Sequence, residues 1–486
     1  MTEQLVRTLP DHAQSQQSLS DQSAAATPPQ TKRNYALAFL LAVQLMLVLD
    51  MTVVNVALPK IQGDLGFSSA NLSWVLNAYT LTFGGLLLLG GRIGDVFGRR
   101  RAFMSGLAVF AVASLLGGLS ESSEMLVATR ALQGVGAAVA APSVLALITT
   151  MAKDDAERNR GLALFSAVSS AGASIGLILG GFLTGYISWR WALFINVPIA
   201  AAVLLFGRQF IGETARRAGR FDFVGAISAT LGSSAIVLGF INAPTHGWDD
   251  LKTIGAFAAG VLLLALFVVT ERSVSHPLLR LELVRNRQRA GAIATMALVV
   301  GAQFALFFFT VQFMQHVLGY GAMKSGFAYL PLTALIFATS RLAPKLTARF
   351  GVRPLIVTGA ALLMIANLWL AQLTVDSGYL TELLVPMMLI GVGAGLTFMP
   401  ITVAIMMGVE PEHAGSASGV LQMAQQIGGA IGLSVLVTVY ASHDKVGQVV
   451  PGMGGAFYTA AGFLAVAIVV ALTFIGRKPR PAEVAV

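Results

Sequence analysis

"GGRIGDVFGRRR" occupies residues 90 to 101. It separates two apolar runs, 71–91 and 102–119, each near the ~20 residues that cross a bilayer. Gly90, Gly91, Gly94 and Gly98 let backbones approach closely and turn tightly. Asp95 lies three residues after Arg92 and four before Arg99, so on a helical turn it can pair with either, or with a charge on another helix. Such a pair at a membrane edge can latch two bundles in one state and release them in another. A plain basic stop-transfer loop accounts for the arginines, but not for Asp95 or the glycine spacing. A second stretch, "APKLTARFGVR" (343–353), aligns with 90–100 without gaps. Arg92 then meets Lys345, Phe97 meets Phe350, Gly98 meets Gly351 and Arg100 meets Arg353. Both stretches follow a span running in one direction and precede a span running in the other, so the chain contains a repeat.

The composition agrees with a membrane chain. Of 486 residues, 56% are hydrophobic and 11% charged, against about 25% charged in a soluble domain. The spans read as 35–57, 71–91, 102–119, 125–149, 161–187, 191–210, 223–242, 254–271, 290–317, 326–347, 354–373, 380–407, 415–440 and 455–476. The repeat makes spans 2 and 10 equivalent. Residues 35–210 then form an N-terminal six-helix bundle and 290–476 a C-terminal one. The segment 211–289 holds two inserted helices and a linker, of which 273–289 reads as an amphipathic helix or a plain linker. Two six-helix halves around a midplane site is the plan of a secondary transporter. Residues 1–34, rich in Gln, Ser, Ala and Pro, read as a disordered cytoplasmic tail, and 477–486 as a second one. The start lacks the basic segment and short apolar core of a cleavable signal peptide.

Lysine and arginine set the orientation. With the N-terminus inside, the outer connections hold only Lys60, Arg190, Lys252, Lys324 and Lys445, while Arg130 and Arg341 lie within spans. The rest of the 32 basic residues fall inside. Both termini are therefore expected in the cytoplasm, and the net charge of +9 needs no nucleic-acid partner. With no cysteine, disulfides, thiolate metal sites and cysteine nucleophiles are excluded. No span carries a nucleophile–base pair or a metal cluster, which argues against an enzyme. No phosphate-binding Gly-rich Lys-Ser/Thr loop occurs, so ATP is not the direct energy source.

"VLDMTVVNVALP" (48–59) places Asp50 deep in the first span. A carboxylate there costs ~2.5–3.5 kcal/mol on insertion scales. Asp50 is about 22 Å from the inner edge at 1.5 Å per residue, and Arg130 sits about a turn below the outer surface. Their depths match, so the two are expected to lie close. Burial favours the neutral acid, and a nearby guanidinium favours the carboxylate. A protein that moves the two together or apart can thereby take up and release a proton. Gln133 follows Arg130 on the same face. No acidic residue lies deep within spans 9–14.

"GRIGDVFGRRR" resembles the signature between helices 2 and 3 of the major facilitator superfamily. "LDMTVVNVALPKI" (49–61) is similar to the helix 1 signature of its fourteen-helix drug:proton antiporter family. "RALQGVGAAVAAP" (130–142) resembles the helix 4 signature of proton-coupled members, and "SWRWALFINVP" (188–198) the start of helix 6. The resemblance spans roughly residues 35 to 476. It implies an all-α major facilitator fold of fourteen transmembrane helices in the cytoplasmic membrane. It also implies export of hydrophobic or amphipathic drugs or antibiotics in exchange for protons. No cofactor beyond the proton gradient is expected, and the protein is expected to act as a monomer. On this footing Asp50 and Arg130 couple protons, and Arg92, Asp95, Arg99, Gly91 and Gly98 form the latch. Helix 5, "GASIGLILGGFL" (172–183), departs from the antiporter pattern, because Leu177 follows Gly176 where the family has proline. Gly172, Gly176, Gly180 and Gly181 remain, and four-residue spacing permits tight helix packing.

Polar amides among aromatics suit a loose site for amphipathic compounds. Asn55, Gln133, Gln303, Phe307, Gln312, Gln422 and Gln426 are the substrate-lining candidates. Interhelical hydrogen bonds and ordinary core packing explain the same residues, and for Asn55 that is the favoured reading. Asp222 and Glu382 fall near span ends and read as interfacial. A same-fold transporter of one metabolite or lipid, or a receptor or scaffold on this fold, remains an alternative.

Overall fold

The computed structural model describes residues 30–68, 71–214, 222–274, 285–407, 409, 414–442 and 449–476. Most of 1–34, the central part of 273–289 and the tail from 477 lie outside this set. The described residues are helical with short turns and no strand, because in hydrocarbon a lone segment satisfies its own backbone only as a helix. The helices are α1 (Gln30–Leu65), α2 (Trp74–Phe97), α3 (Arg99–Gly118), α4 (Ser123–Thr150), α5 (Asp155–Phe182), α6 (Asn196–Phe206) and α7 (Phe223–His246). They continue as α8 (Leu251–Ser273), α9 (Arg287–Gln312), α10 (Leu330–Phe350), α11 (Val352–Leu370), α12 (Leu384–Met406), α13 (Ala414–Ser442) and α14 (Val449–Phe474).

Thirteen of these segments are long and apolar enough to cross a membrane, and a shorter apolar stretch, Ile175–Ile187, belongs to the α5 region. α1 begins at Gln30, ahead of the expected edge at 35, so the last residues assigned to the tail are helical. Span 6 is split into a short helix, Trp191–Phe194, and α6. The tenth span likewise has a short helix, Ala322–Ala328, before α10.

Local chemistry fixes several ends. Ser122, Asp154, Asp250 and Asn286 accept backbone N–H groups at the starts of α4, α5, α8 and α9, where a helix leaves donors unsatisfied. Asp222 does the same for α7, accepting from the Gly225 N–H at 2.7 Å. It stands at the span end where the sequence places it and is buried there, with 4% of its surface exposed. Gly98 and Gly351 each close one helix and open the next, at φ 102° and 86°. Each donates its N–H back into the helix it closes, to Gly94 and Thr347. A residue with a Cβ is strained there, which explains why the two repeated stretches share this glycine.

The repeat extends to packing. α2 packs on α4, α3 on α4, and α1 on α5; eight helices later α10 packs on α12, α11 on α12, and α9 on α13. Between the two sets, α2 lies along α13, and the short helix Ala322–Ala328 lies against α5. The inserted α7 and α8 form a hairpin. α7 covers the junction of α2 and α13: Thr230 fills the place a Gly85 side chain would need, and Thr438 donates to the Phe240 carbonyl at 2.6 Å. The end of the molecule carrying residues 98–101 is called the basic end below.

Candidate functional site

Asp50 and Arg130 are both fully buried and form an ion pair, Nη1 to Oδ2 at 2.5 Å. The matching depths inferred from sequence are thus matched by contact. Arg130 also donates through Nε to the Val75 carbonyl at 3.0 Å and through Nη1 to Gln133 Oε1 at 2.9 Å. Its guanidinium carbon lies 4.6 Å from the centre of the Tyr79 ring. Val75 is the second residue of α2, so the pair lies toward the end opposite the basic one.

The carboxylate has two further donors. Gln133 Nε2 reaches Asp50 Oδ1 at 3.1 Å, and Asn196 Nδ2 reaches the same oxygen at 2.8 Å. Both amides also donate to Ser114 Oγ at 2.8 Å. Ser114 donates onward to the Leu193 carbonyl at 3.0 Å. Helices α1, α3, α4 and α6 therefore each contribute a side chain, while α2 supplies a carbonyl and a ring. Three N–H donors aimed at one carboxylate satisfy its charged form. Arg130 Nη2 and Asn196 Oδ1 are buried in the same network without hydrogen-bond partners.

A protonated Asp50 would no longer balance the guanidinium, and Arg130 would be left as an uncompensated buried charge. Such a charge is strongly destabilising. Neutralising Asp50 would therefore require rearrangement around Arg130. Gln133, expected on a substrate wall, belongs to the shell of this carboxylate. Sequence reasoning missed Asn196, Ser114 and Tyr79. Asn196 lay inside the quoted "SWRWALFINVP" stretch; Ser114, one serine in an apolar run, carried no signal.

The glycines of α5 hold α1 in place. A side chain on Gly172 would meet Leu45 and Val48, one on Gly176 would run into Thr52, and one on Gly180 would come 2.8 Å from the Val53 Cα. α1 is thus pressed onto α5 at the level of Asp50. Gly181 instead serves the contact between halves, where a side chain on it would come 2.7 Å from the Met323 Cα. Leu177 is buried, and its carbonyl carbon lies 3.0 Å from the place a Gly326 side chain would take.

At the basic end Asp95 pairs with Arg99 at 2.5 Å. Of the two partners allowed by spacing, it takes the one on the next helix and not Arg92. Arg99 N–H donates to Thr214 Oγ1 at 3.1 Å, and Arg100 N–H donates to Glu213 Oε1 at 3.0 Å. Glu213 also lies 3.8 Å from the guanidinium groups of Arg100 and Arg101. A side chain on Gly98 would collide with the Glu213 carboxylate, whereas one on Gly91 would have ordinary room, 3.8 Å from the Pro142 Cβ. The Glu213–Thr214 clasp was not foreseen.

The remaining amides sit on three helices. Asn55 is half-buried with an enclosed, unpartnered Oδ1. Gln303 and Gln312 of α9 are buried, and Gln312 donates to its own helix at Phe308. Phe307 lies on Tyr329, ring centres 5.4 Å apart. Gln422 and Gln426 are half-buried on α13, with Gln426 set beside Gly84 of α2. No hydrogen bond links these amides to one another among the described residues.

The model of the Major Facilitator Superfamily matches residues 40–433. A puromycin resistance protein of Streptomyces alboniger is 43% identical over 424 residues, covering 86% of this chain and 84% of that one. A cephamycin export protein of Amycolatopsis lactamdurans is 40% identical over 441 residues, covering 89% and 91%. Among solved structures, a bacterial homologue of the human lysosomal transporter Spinster superposes with a TM-score of 0.63 at 17% identity. It covers 93% of this chain and all of that one, a likeness of fold alone.

Proposed function

The chain belongs to the Major Facilitator Superfamily, a family of membrane transporters and not of enzymes, and from that premise we propose that it exports hydrophobic or amphipathic drugs or antibiotics in exchange for protons. The observation that carries the coupling is the buried Asp50 carboxylate, held by Arg130, Gln133 and Asn196. The antibiotic resistance and export proteins it resembles support the export direction.

The basic end faces the cytoplasm in this reading, because lysine and arginine mark the inner side. Helices α1–α6 and α9–α14 rock as two units about the contacts between α2 and α13 and between α5 and the short helix before α10. A proton arriving from outside neutralises Asp50 and frees Arg130, favouring substrate release. Loss of that proton inward restores the pair and favours substrate capture. Coupling follows only if proton and substrate bind the two states differently. Asp95 with Arg99, and the Glu213–Thr214 clasp, join α2, α3 and the chain leaving α6, so they brace the basic end of the first unit and do not bridge the two units.

A growth-inhibition panel in an efflux-deficient bacterial host tests this reading. The parent should raise the inhibitory concentration of at least one amphipathic antibiotic several-fold. Asp50→Asn, at equal membrane abundance, should return it to background. Equal resistance from both proteins would remove Asp50 from the mechanism.

A further inference from the structure

Arg341 is the second arginine inside a span, and the Asp50 site makes no use of it. It lies nine residues before the basic end of α10 at Phe350, ~13 Å at 1.5 Å per residue. A charge at that depth normally pairs, faces a water-filled space or marks a substrate path. Arg130 shows the paired case. Arg341 makes neither an ion pair nor a hydrogen bond among the described residues; its guanidinium carbon lies 4.4 Å from the centre of the Phe337 ring. Phe337 is one turn farther from the basic end, so Arg341 points toward mid-membrane and not to the nearer surface. Both side chains are exposed, Phe337 at 42%.

The internal repeat identifies the face they occupy. Counting back from the equivalent Gly98 and Gly351, Phe337 corresponds to Gly84 and Arg341 to Leu88. In the first half those positions meet the other half: Gly84 abuts Gln426, and Leu88 abuts Gly419, both of α13. The corresponding face of α10 is the one directed at α5. Near the opposite end the halves do touch there, through Leu177 against Gly326 and Gly181 against Met323. α10 itself touches α5 only sparsely, and Leu332 and Ala343 are its buried residues. The other seam, between α2 and α13, is covered by α7. The α10 face turned toward α5 therefore carries Arg341 and Phe337, both exposed.

We propose that Arg341 and Phe337 form a subsite for the acidic group of an amphipathic anion, so that exported compounds bearing a carboxylate are recognised there; this rests on the export reading above. The guanidinium takes the carboxylate through charge-assisted hydrogen bonds, and the ring packs on the adjoining apolar part. A cationic substrate does not fit here, where Arg341 already covers the ring face. The phosphate of an acidic lipid shares the chemistry, and the assay separates the two sources.

The experiment uses the purified full-length protein in phosphatidylcholine vesicles with an imposed pH gradient. The probes are N-dansyl-phenylalanine and its uncharged methyl ester. The parent should move the carboxylate in preference to the ester. Arg341→Gln should lower the carboxylate-to-ester ratio about tenfold, the effect of losing one hydrogen-bonded charge, and Arg341→Lys should recover part of it. Movement of the ester alone, or an equal fall for both probes, would overturn the subsite while leaving export standing. Movement of neither would overturn the export reading itself, and the subsite with it. Phosphatidylglycerol added to the vesicles should leave the preference intact; its disappearance would assign Arg341 to lipid and overturn the proposal.

Discussion

Asp50 enters the membrane at a cost, and its neighbours show how the cost is met. Arg130, Gln133 and Asn196 all donate to it, and Ser114 orients the two amides. Removing one member of a buried pair leaves the other uncompensated, at about 3–5 kcal/mol. Asp50→Ala should therefore lower the melting temperature in detergent more than the double variant Asp50→Ala/Arg130→Met. Equal melting temperatures would mean that the pair is not the strained element. A second ionisable residue gives a pH test. The Glu157 carboxyl is held below its ordinary value, chiefly by the Lys153 backbone N–H and further by Arg33. Because the folded value is the lower one, this contribution is present above the ordinary carboxylate range. It is lost as pH falls through the folded value. Glu157→Gln should melt below the parent at pH 7, and the gap should close on acidification. A gap that persists in acid would contradict the assignment. The Asp50–Arg130 pair was legible in sequence because helical rise converts position into depth. Asn196 and Ser114 were not, since a polar residue in an apolar run does not announce its partner.

Two helix-level features follow from glycine. On α5, Gly172, Gly176 and Gly180 let α1 approach until Val53 lies against the backbone. Gly180→Val should force the two apart, with overpacking costing about 1–3 kcal/mol. The expected result is loss of folded protein on gel filtration, while Gly212→Ala, with no atom within contact range, should leave the profile unchanged. A normal profile for Gly180→Val would show that α1 and α5 do not depend on close approach. At the turns, Gly98 and Gly351 were readable from the repeat alone, since only a shared backbone demand explains a glycine at both. The clasp of Glu213 and Thr214 on Gly98 was hidden, because it joins residues more than a hundred positions apart. The breaks before α6 and α10 escaped a hydropathy reading because apolar composition continues through them.

The whole molecule shows the repeat as recurring helix pairs, with a hairpin laid over one seam between the halves. Asn77 of α2 donates to Ser434 of α13 at 2.9 Å across that seam. The sequence contains no cysteine, so Asn77→Cys/Ser434→Cys introduces one addressable pair. Joining it with a short thiol reagent should stop export, and cleaving the reagent should restore it; export unaffected by the join would argue against rocking at this seam. The count of spans and the repeated glycine turn made the overall architecture legible. The placement of α7 was not, because periodicity says which face a helix buries but not against which neighbour. The account rests above all on exchange of substrate for protons at Asp50. The direct measurement is counter-movement in proteoliposomes: an amphipathic antibiotic exported in the growth panel, an imposed pH gradient, and proton flux followed at the same time. The account predicts that the parent moves substrate and protons in opposite directions, and that Asp50→Asn, reconstituted to equal density, moves substrate without responding to the gradient. Full gradient-driven movement by Asp50→Asn would contradict it.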